Sequence, residues 1–409
     1  MTAPTATNPH LDAVPGADRP HCPIMPTYGP PDVMFVRGEG SRLYDPAGKE
    51  YIDWLAGIAV TSLGHSHPGV AAAIAEQART LLHVSNLFAT EPQWKVATIL
   101  DELMGGDPGQ VFFCNSGAES NEALIKLARK WGGRGRHTVV TGMRSFHGRT
   151  LATLHATGQP EKHEAFQPLP EGFRHVTYND IDAMDKALDG SVAAVLLEPI
   201  QGEGGINEVD PAYFPAIREM CTERGILLMF DEVQTGLART GAWFAHHHYG
   251  VQADAVSMAK ALGNGMPIGA IWARTEVAAS FKPGDHATTF GGQPLAASAA
   301  LATLEIMQSI NAPDLANTVG AALTEKLLEL DGVTGVRGRG LLIAAELDPE
   351  VLGERAAGDI AKACLHSGLI LNAVTPTALR IAPPLTITYA EIEQGLQVLD
   401  AVLHGSGDD

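Results

Sequence analysis

Short apolar runs alternate with segments of helical length and pattern through the middle of the chain. A continuous apolar run of four to six residues is typical of a strand that is covered on both faces, as in a parallel sheet. The runs lie at residues 111–114, 137–141, 192–197, 226–230 and 255–258, and helical patterns between them lie at 118–131, 181–188 and 212–223. The alternation predicts an α/β protein with a mostly parallel sheet.

The two ends of the chain have a different texture. Residues 1–20 are rich in Pro, Ala and Thr and predict a flexible N-terminal arm. Short strand patterns at 33–37, 42–44 and 51–54 follow, and a long Ala/Leu helix pattern begins at Pro294. We expect four regions: the arm, the first part of a small α+β domain at 21–60, a large domain at 61–305, and the rest of the small domain at 306–409.

Charge and cysteine content restrict the function. The 409 residues include 28 Lys and Arg against 47 Asp and Glu, a formal net charge of −19, which argues against nucleic acid or an anionic membrane as a partner. The scattered Cys22, Cys114, Cys221 and Cys364 favour free thiols in a reducing compartment. Without a signal-peptide pattern or an apolar run near the ~18 residues of a membrane span, the chain is expected to be cytoplasmic.

Ligands of open α/β sheets bind beyond the carboxyl ends of the strands, and three candidate anchors lie there. Ser116, Gly117 and Ala118 start a helix, where free N–H groups suit a phosphate, although Ser116 with Glu119 equally fits an ordinary capping box. The other two anchors, Asp231 and Lys260, also have an ordinary structural interpretation beside the functional one.

Asp231 ends a dry strand, where it is either a cap or ion-pair residue or a partner for a protonated ring nitrogen. Lys260 follows the next strand, where it either extends to solvent or supplies a nucleophilic amine. Together, a phosphate cradle, an acid and a lysine on consecutive sheet elements are the anchors that pyridoxal 5′-phosphate (PLP) needs.

Two histidine-rich segments do not predict a metal site. His246, His247 and His248 are adjacent, so on a helix they point in different directions and favour a solvated surface. His65 and His67 share a strand face, but no third ligand is evident near them.

Several motifs together are similar to those of the class III PLP-dependent aminotransferases, from about Tyr28 to Thr388. The matching segments are 57–65, 113–119, 145–150, 198–203, 230–236, 258–269, 288–292 and 379–384. The resemblance implies the fold type I (aspartate-aminotransferase-like) architecture, with a large mostly parallel-sheet domain and a small α+β domain. Segments 25–28, 85–91, 157–160 and 167–170 most resemble the N-acetylornithine aminotransferases of arginine biosynthesis. Ala238 and Gln293 depart from the usual glycine and asparagine of the family.

The resemblance also implies roles for the residues around the cofactor. Lys260 would bind PLP covalently and then move the substrate proton, and Asp231 would pair with the ring nitrogen. The other implied cofactor residues are Ser116, Gly117 and Ala118 at the phosphate, Phe146 and Val233 on the ring faces, Gln234 near the ring hydroxyl, and Thr289 at the phosphate of a neighbouring subunit. A homodimer with shared active sites would follow.

On the substrate side, the resemblance implies two arginines and an acid, with Thr288 nearby. Arg149 would bind a substrate carboxylate, and Glu203 would switch Arg380 between a neutralised state for an ω-amino donor and a free state for glutamate. The reaction would transfer the amine of N2-acetyl-L-ornithine to 2-oxoglutarate, giving N-acetyl-L-glutamate 5-semialdehyde and L-glutamate. Alternatives are ornithine, succinylornithine, N-succinyldiaminopimelate or 4-aminobutyrate aminotransferases, a glutamate-1-semialdehyde aminomutase, and a non-catalytic PLP-binding protein.

Overall fold

The computed structural model describes residues 24–29 and 31–405, so the predicted arm at 1–20 and Cys22 lie outside the described residues. The strands of this part are β1 (Arg37–Glu39), β2 (Arg42–Tyr44), β3 (Glu50–Asp53), β4 (Gly109–Cys114), β5 (Thr138–Gly142), β6 (Phe173–Val176), β7 (Val192–Leu197), β8 (Leu227–Asp231), β9 (Ala255–Met258), β10 (Gly269–Arg274), β11 (Val333–Arg339), β12 (Leu342–Leu347), β13 (Leu369–Ile370), β14 (Asn372–Ala373) and β15 (Ala378–Ile381). The α-helices are α1 (Ala56–Ala59), α2 (Pro68–Thr80), α3 (Glu91–Met104), α4 (Gly117–Gly132), α5 (Leu151–Ala156), α6 (Ile181–Ala187), α7 (Tyr213–Arg224), α8 (Thr275–Ala278), α9 (Pro294–Ser309), α10 (Ala312–Leu328), α11 (Pro349–Leu352), α12 (Ala357–His366) and α13 (Tyr389–Leu403).

A seven-stranded sheet in the order β4-β10-β9-β8-β7-β5-β6 forms the centre of the molecule. The pairs from β9 to β6 are parallel, whereas β10 is antiparallel to both β4 and β9. The predicted α/β class with a mostly parallel sheet is confirmed. Strands β6 and β10 were missed by the sequence analysis. The antiparallel direction of β10 depends on pairing partners that are distant in the chain.

Burial explains why the central strands are continuous apolar runs. Every residue of β7 and β8 is buried, including Asp231 at the end of β8. Successive side chains of a strand point to opposite faces, and Leu196 and Met229 pack with α4 residues while Leu197 and Phe230 pack with Phe214 of α7. Helices therefore cover both faces, and the carboxyl edge of the sheet is where polar side chains can gather.

Two four-stranded sheets flank this core, in the orders β1-β2-β3-β13 and β11-β12-β15-β14. The first joins the N-terminal strands to β13 through a parallel pairing of β3. The expected division at 60/61 and 305/306 stays a prediction, and its second boundary falls inside helix α9.

Neither a membrane-spanning helix nor a metal-binding cluster is found within residues 24–29 and 31–405. The helices there are too short or too polar to cross a membrane. In the same residues, His, Cys, Asp and Glu side chains do not assemble in groups of three or more that could hold a metal ion.

Candidate active site

A cavity of about 960 Å³ lies beyond the carboxyl ends of β8 and β9. Eleven of the thirteen residues that the sequence analysis singled out line it: Ser116, Gly117, Ala118, Phe146, Arg149, Glu203, Asp231, Val233, Gln234, Lys260 and Arg380. They come from strands, a helix start and loops that are up to 264 positions apart in the chain (380 minus 116), and Arg380 comes from β15, outside the central sheet. Thr288 and Thr289 are not part of this wall.

Asp231 is held rigidly at the end of β8. It is 4% exposed, and its Oδ2 accepts hydrogen bonds from Asn121 Nδ2 at 2.7 Å and pairs with His147 Nδ1 at 2.8 Å. Its Oδ1 accepts from the backbone N–H of Val233 at 3.0 Å. Ser257, the β9 neighbour of Asp231, donates to Asn121 Oδ1 at 2.7 Å. These contacts satisfy the buried carboxylate, and among the described residues no Lys or Arg forms an ion pair with it within 4.0 Å, which leaves its charge available to a ligand.

Lys260 follows β9 and begins a short 3₁₀ helix, with a backbone φ of 43°. Burial lowers the pKa of Lys260 to about 8, helped by the charge of Arg380 and opposed by Asp231, Glu198 and Glu203. An amine with such a pKa is deprotonated in a larger fraction at neutral pH than an ordinary lysine, and a nucleophile or a proton carrier requires the deprotonated form.

The N-terminus of α4 faces the same cavity. Ser116 Oγ accepts the N–H of Glu119 at 3.2 Å, so the capping interpretation holds for this serine. Gly117 and Ala118 still present the start of a 16-residue helix to the cavity. A Cβ on Gly117 would lie 2.7 Å from Val233 Cγ1, so only glycine fits between the helix start and this wall. Ser116 can therefore cap helix α4 while the backbone N–H groups at the start of the same helix bind an anion.

Phe146 and the buried Glu198 join two loops of the cavity. Glu198 Oε2 accepts the N–H of Phe146 at 3.0 Å, and Oε1 accepts the N–H of Gly202 at 3.2 Å. Burial raises the pKa of Glu198 to about 7, with His147 opposing the shift and Asp231 adding to it. Glu198 thus positions both the aromatic ring of Phe146 and the backbone next to Glu203.

At the arginine end of the cavity, Glu203 is turned away from Arg380, which is one of the two states that the resemblance implied. Arg380 is 5% exposed and has amide partners: Nε donates to Asn372 Oδ1 at 3.1 Å, and Nη1 makes a long 3.5 Å contact with Gln234 Oε1. Glu203 forms its ion pair with Lys162 instead, and among the described residues it has no ion pair with Arg380 within 4.0 Å. Arg149 lines the cavity from an exposed position, with its Cζ 5.5 Å from the ring centroid of Phe146.

Thr288 and Thr289 lie on a separate surface. Thr288 Oγ1 accepts from Asn115 Nδ2 at 3.2 Å and from the N–H of Gly291 at 3.1 Å, so it shapes the loop beside the α4 start. Thr289 is exposed. Within one copy of the chain, neither reaches the cavity, and their roles stay predictions.

The two departures from the family pattern have distinct settings. Ala238 adopts φ 70° in a fully buried turn, a backbone region that favours glycine. Gln293 caps α9, since its Oε1 accepts the N–H of Leu295 at 2.8 Å. Neither Ala238 nor Gln293 lines the cavity.

Sequence reasoning missed the residues that support the site, namely Asn121, His147, Glu198 and Lys162. His147 lies inside the quoted segment 145–150, and Glu198 directly follows a strand, so both positions carried a signal. Nothing in the sequence pairs Asn121 with Asp231 across 110 positions.

The expectation of a solvated histidine run was wrong for His246. This residue is buried, and its Nδ1 contacts Glu232 Oε1 at 2.9 Å, because the 3₁₀ helix Ala245–Tyr249 packs against the turn after β8.

Comparison with known families decides the class of protein. The family described as Aminotransferase class-III matches residues 24–403. The chain belongs to this family. It is therefore an enzyme of the transaminase type, as the motifs predicted.

Individual relatives agree. The acetylornithine aminotransferase of Caldanaerobacter subterraneus subsp. tengcongensis is 46% identical, covering 93% of this chain and 97% of the relative. The crystal structure of N-acetylornithine aminotransferase from Stenotrophomonas maltophilia K279a superposes with a TM-score of 0.80 at 37% identity, over 92% of this chain and 97% of that one. An ornithine aminotransferase from Toxoplasma gondii, whose structure has partial occupancy of PLP at the active site, gives a TM-score of 0.87 at 32% identity, over 94% and 92%.

The class III family implies PLP as cofactor, and the cavity residues fit this group. An amine with a lowered pKa and a carboxylate held by neutral or histidine partners lie at the ends of adjacent strands. The start of a long helix meets the same cavity at a glycine that no larger residue could replace. The three chemical requirements of PLP (an amine, an acid and an anion cradle) are thus present in one cavity.

Proposed function

We propose that this aminotransferase transfers the terminal amine of N2-acetyl-L-ornithine to 2-oxoglutarate, giving N-acetyl-L-glutamate 5-semialdehyde and L-glutamate. One observation carries the proposal: Lys260 and Asp231 share a cavity with two arginines, Arg149 and Arg380, that can each bind a carboxylate. The relatives with acetylornithine names favour the acetylated donor over other ω-amines.

PLP is the proposed cofactor, and when bound it supplies an electron sink for the carbon that bears the transferred amine. Lys260 would hold it covalently, and Asp231 would pair with its ring nitrogen. Its other proposed contacts are Ser116, Gly117 and Ala118 for the phosphate, Phe146 and Val233 for the ring faces, and Gln234 for the ring hydroxyl.

In this proposal, Lys260 transfers the proton and the two arginines bind the substrate. Lys260, with a pKa of about 8, accepts and returns the proton at the reacting carbon. Arg149 and Arg380 fix the two ends of a dicarboxylate, so that the reacting carbon faces the lysine. The acetyl group of the donor removes an ammonium charge, which would otherwise lie next to the donor's carboxylate and close to the positive charge of Arg149.

We propose that the enzyme works as a homodimer in the cytoplasm. The surface next to Thr288 exposes several large apolar side chains, Leu82, Leu87, Phe88, Trp94 and Phe290, with Leu87 86% and Phe290 60% exposed. A cluster of this kind supports an interface. Thr289 lies on this surface and would reach the phosphate site of the second subunit. The three described cysteines are buried free thiols, which supports a reducing compartment.

The decisive experiment measures amine transfer to 2-oxoglutarate with purified, PLP-loaded protein. N-acetylornithine, succinylornithine, ornithine and 4-aminobutyrate are compared by kcat/KM, and sedimentation gives the oligomeric state. We expect N-acetylornithine to be the best donor and the protein to sediment as a dimer. A preference for free ornithine, the substrate named for the Toxoplasma gondii neighbour, would overturn the substrate assignment while leaving the transaminase class intact.

A further inference from the structure

The carboxylate of Glu203 forms an ion pair with Lys162, a residue that the sequence analysis did not single out. Lys162 Nζ donates to Glu203 Oε1, and the two side chains are only 21% and 36% exposed. Glu203 is part of the cavity wall, whereas Lys162 is not. Lys162 Nζ also lies 5.4 Å from the ring centroid of Phe146, which is part of the wall. Any effect of Lys162 on a substrate therefore passes through Glu203, through Phe146 or through its own charge.

The backbone on both sides of this pair is fixed. Lys162 ends the 3₁₀ helix Pro160–Lys162, and the next residue, the buried His163, contacts Thr157 O through Nε2 at 2.7 Å. On the other side, a Cβ at Gly202 would lie 2.0 Å from Gln234 Oε1, so the backbone beside Glu203 packs directly on Gln234. The ion pair thus joins two anchored loops.

Glu203 lies in reach of two competing cations. Its charge opposes the lowering of the Arg380 pKa that burial causes, so the two groups interact electrostatically, yet the hydrogen bond goes to Lys162. While this bond holds, no carboxylate neutralises the guanidinium of Arg380, whose hydrogen-bond partners among the described residues are the side-chain amides of Asn372 and Gln234.

We propose that Lys162 is a specificity-determining residue that holds Glu203 away from Arg380. The site at rest is then set for the second carboxylate of a dicarboxylate such as 2-oxoglutarate or glutamate. A donor without that carboxylate must draw Glu203 from Lys162 to Arg380. The inference rests on the proposed function, because it assigns Arg380 to substrate carboxylates.

The test measures the binding of glutarate, a dicarboxylate without an amine or keto group, to the PLP-loaded protein by calorimetry. Lys162→Met frees Glu203 to neutralise Arg380, so we expect glutarate to bind about five- to tenfold more weakly, the lower range of coupling between neighbouring sites. Lys162→Arg keeps the cation and should bind glutarate like the unmodified protein. Lys186→Met, on exposed α6, is the matched control and should change nothing.

A double-mutant cycle identifies the route of the effect. In a Glu203→Gln background, Lys162→Met should no longer alter glutarate binding, because the carboxylate it controls is gone. The same loss in both backgrounds would mean that Lys162 acts by its own charge or through Phe146 and not through Glu203, and this would overturn the proposal. No loss in the first background, in a variant that melts like the unmodified protein, would overturn it as well.

Kinetics provide an independent readout. Lys162→Met should raise the KM for 2-oxoglutarate about as much as it weakens glutarate, while the KM for the ω-amino donor stays equal or falls. An equal rise for both substrates contradicts the proposal. Glutarate binding does not involve the amino donor, so failure of N-acetylornithine as substrate would refute the proposed function without deciding the role of Lys162.

Discussion

The cavity has two ends that are built on different principles. At the Asp231 end, a strand terminus, a histidine and an asparagine hold one carboxylate in a single buried geometry. At the arginine end, Arg380 is buried but Arg149, Lys162 and Glu203 are partly or fully exposed, and Glu203 pairs with Lys162 while its charge also acts on Arg380. The first end suits chemistry that is the same for every substrate, and the second suits the exchange of two substrates of different charge.

Lys260 should show the largest effect, because it belongs to the rigid end and touches the reacting atoms. Lys260→Ala is expected to lower the transamination rate by about ten thousandfold or more, since both proton transfer and covalent attachment are lost. The rate of glutamate formation measures this, with Lys186→Ala as control. A rate within tenfold of the unmodified enzyme would remove Lys260 from the chemistry.

Asp231 should follow. Asp231→Asn keeps the shape but removes the charge, and we expect kcat to fall by about 10²–10³-fold, as for other preorganised groups that stabilise charge. The matched control is Asp254→Asn at the opposite end of β9. Asp254 is also 4% exposed, and it accepts from Arg218 Nη1 at 2.9 Å and from Leu228 N–H at 2.7 Å. This control should lower the melting temperature without changing kcat; equal kcat losses in both variants would make Asp231 merely structural.

Arg149 tests the exchangeable end. Arg149→Lys keeps a positive charge but loses the planar fork, so the KM of both half-reactions should rise about 10- to 100-fold with a smaller change in kcat. Initial rates at varied donor and 2-oxoglutarate measure this. If kcat alone changed, Arg149 would belong with the chemical end and the contrast between the two ends would fail.

Glu198 connects the two ends and should affect stability more than activity. Its folded-state pKa of about 7 lies above the ordinary value of 4.5, so its contribution to stability is complete below about pH 4.5 and is lost as pH rises through 7. The total is on the order of 3 kcal/mol. Glu198→Gln should therefore flatten the fall of the melting temperature between pH 5 and 8.

The buried Glu232 gives a control of opposite sign. Burial raises its pKa, but hydrogen bonds and charge from His246 and Thr235 outweigh this and lower it. Its stability contribution is present at neutral pH and is lost as pH falls. Glu232→Gln should therefore leave the slope above pH 6 unchanged; if it flattened that slope as Glu198→Gln does, Glu198 would not be the titrating group.

Prediction from sequence worked best for segments that consist almost entirely of apolar or helix-forming residues. The limits of β7 and β9 and the start of α9 were predicted to the residue, because uninterrupted apolar or Ala/Leu runs between turn residues have few alternatives. The buried state of His246 was missed, because its polar type gives no sign that Glu232 lies within hydrogen-bond distance.

Alone, the sequence determined the α/β class, five of the seven strands of the central sheet, and most of the candidate residues that line the cavity. Hydrophobic periodicity and residues at strand ends are local properties, and a parallel sheet brings such ends to one edge. The tertiary structure decided which charges face each other: that Asp231 meets His147 and Asn121, and that Glu203 pairs with Lys162. Electrostatic partners are set by distances of a few ångströms between distant segments, which spacing along the chain does not encode.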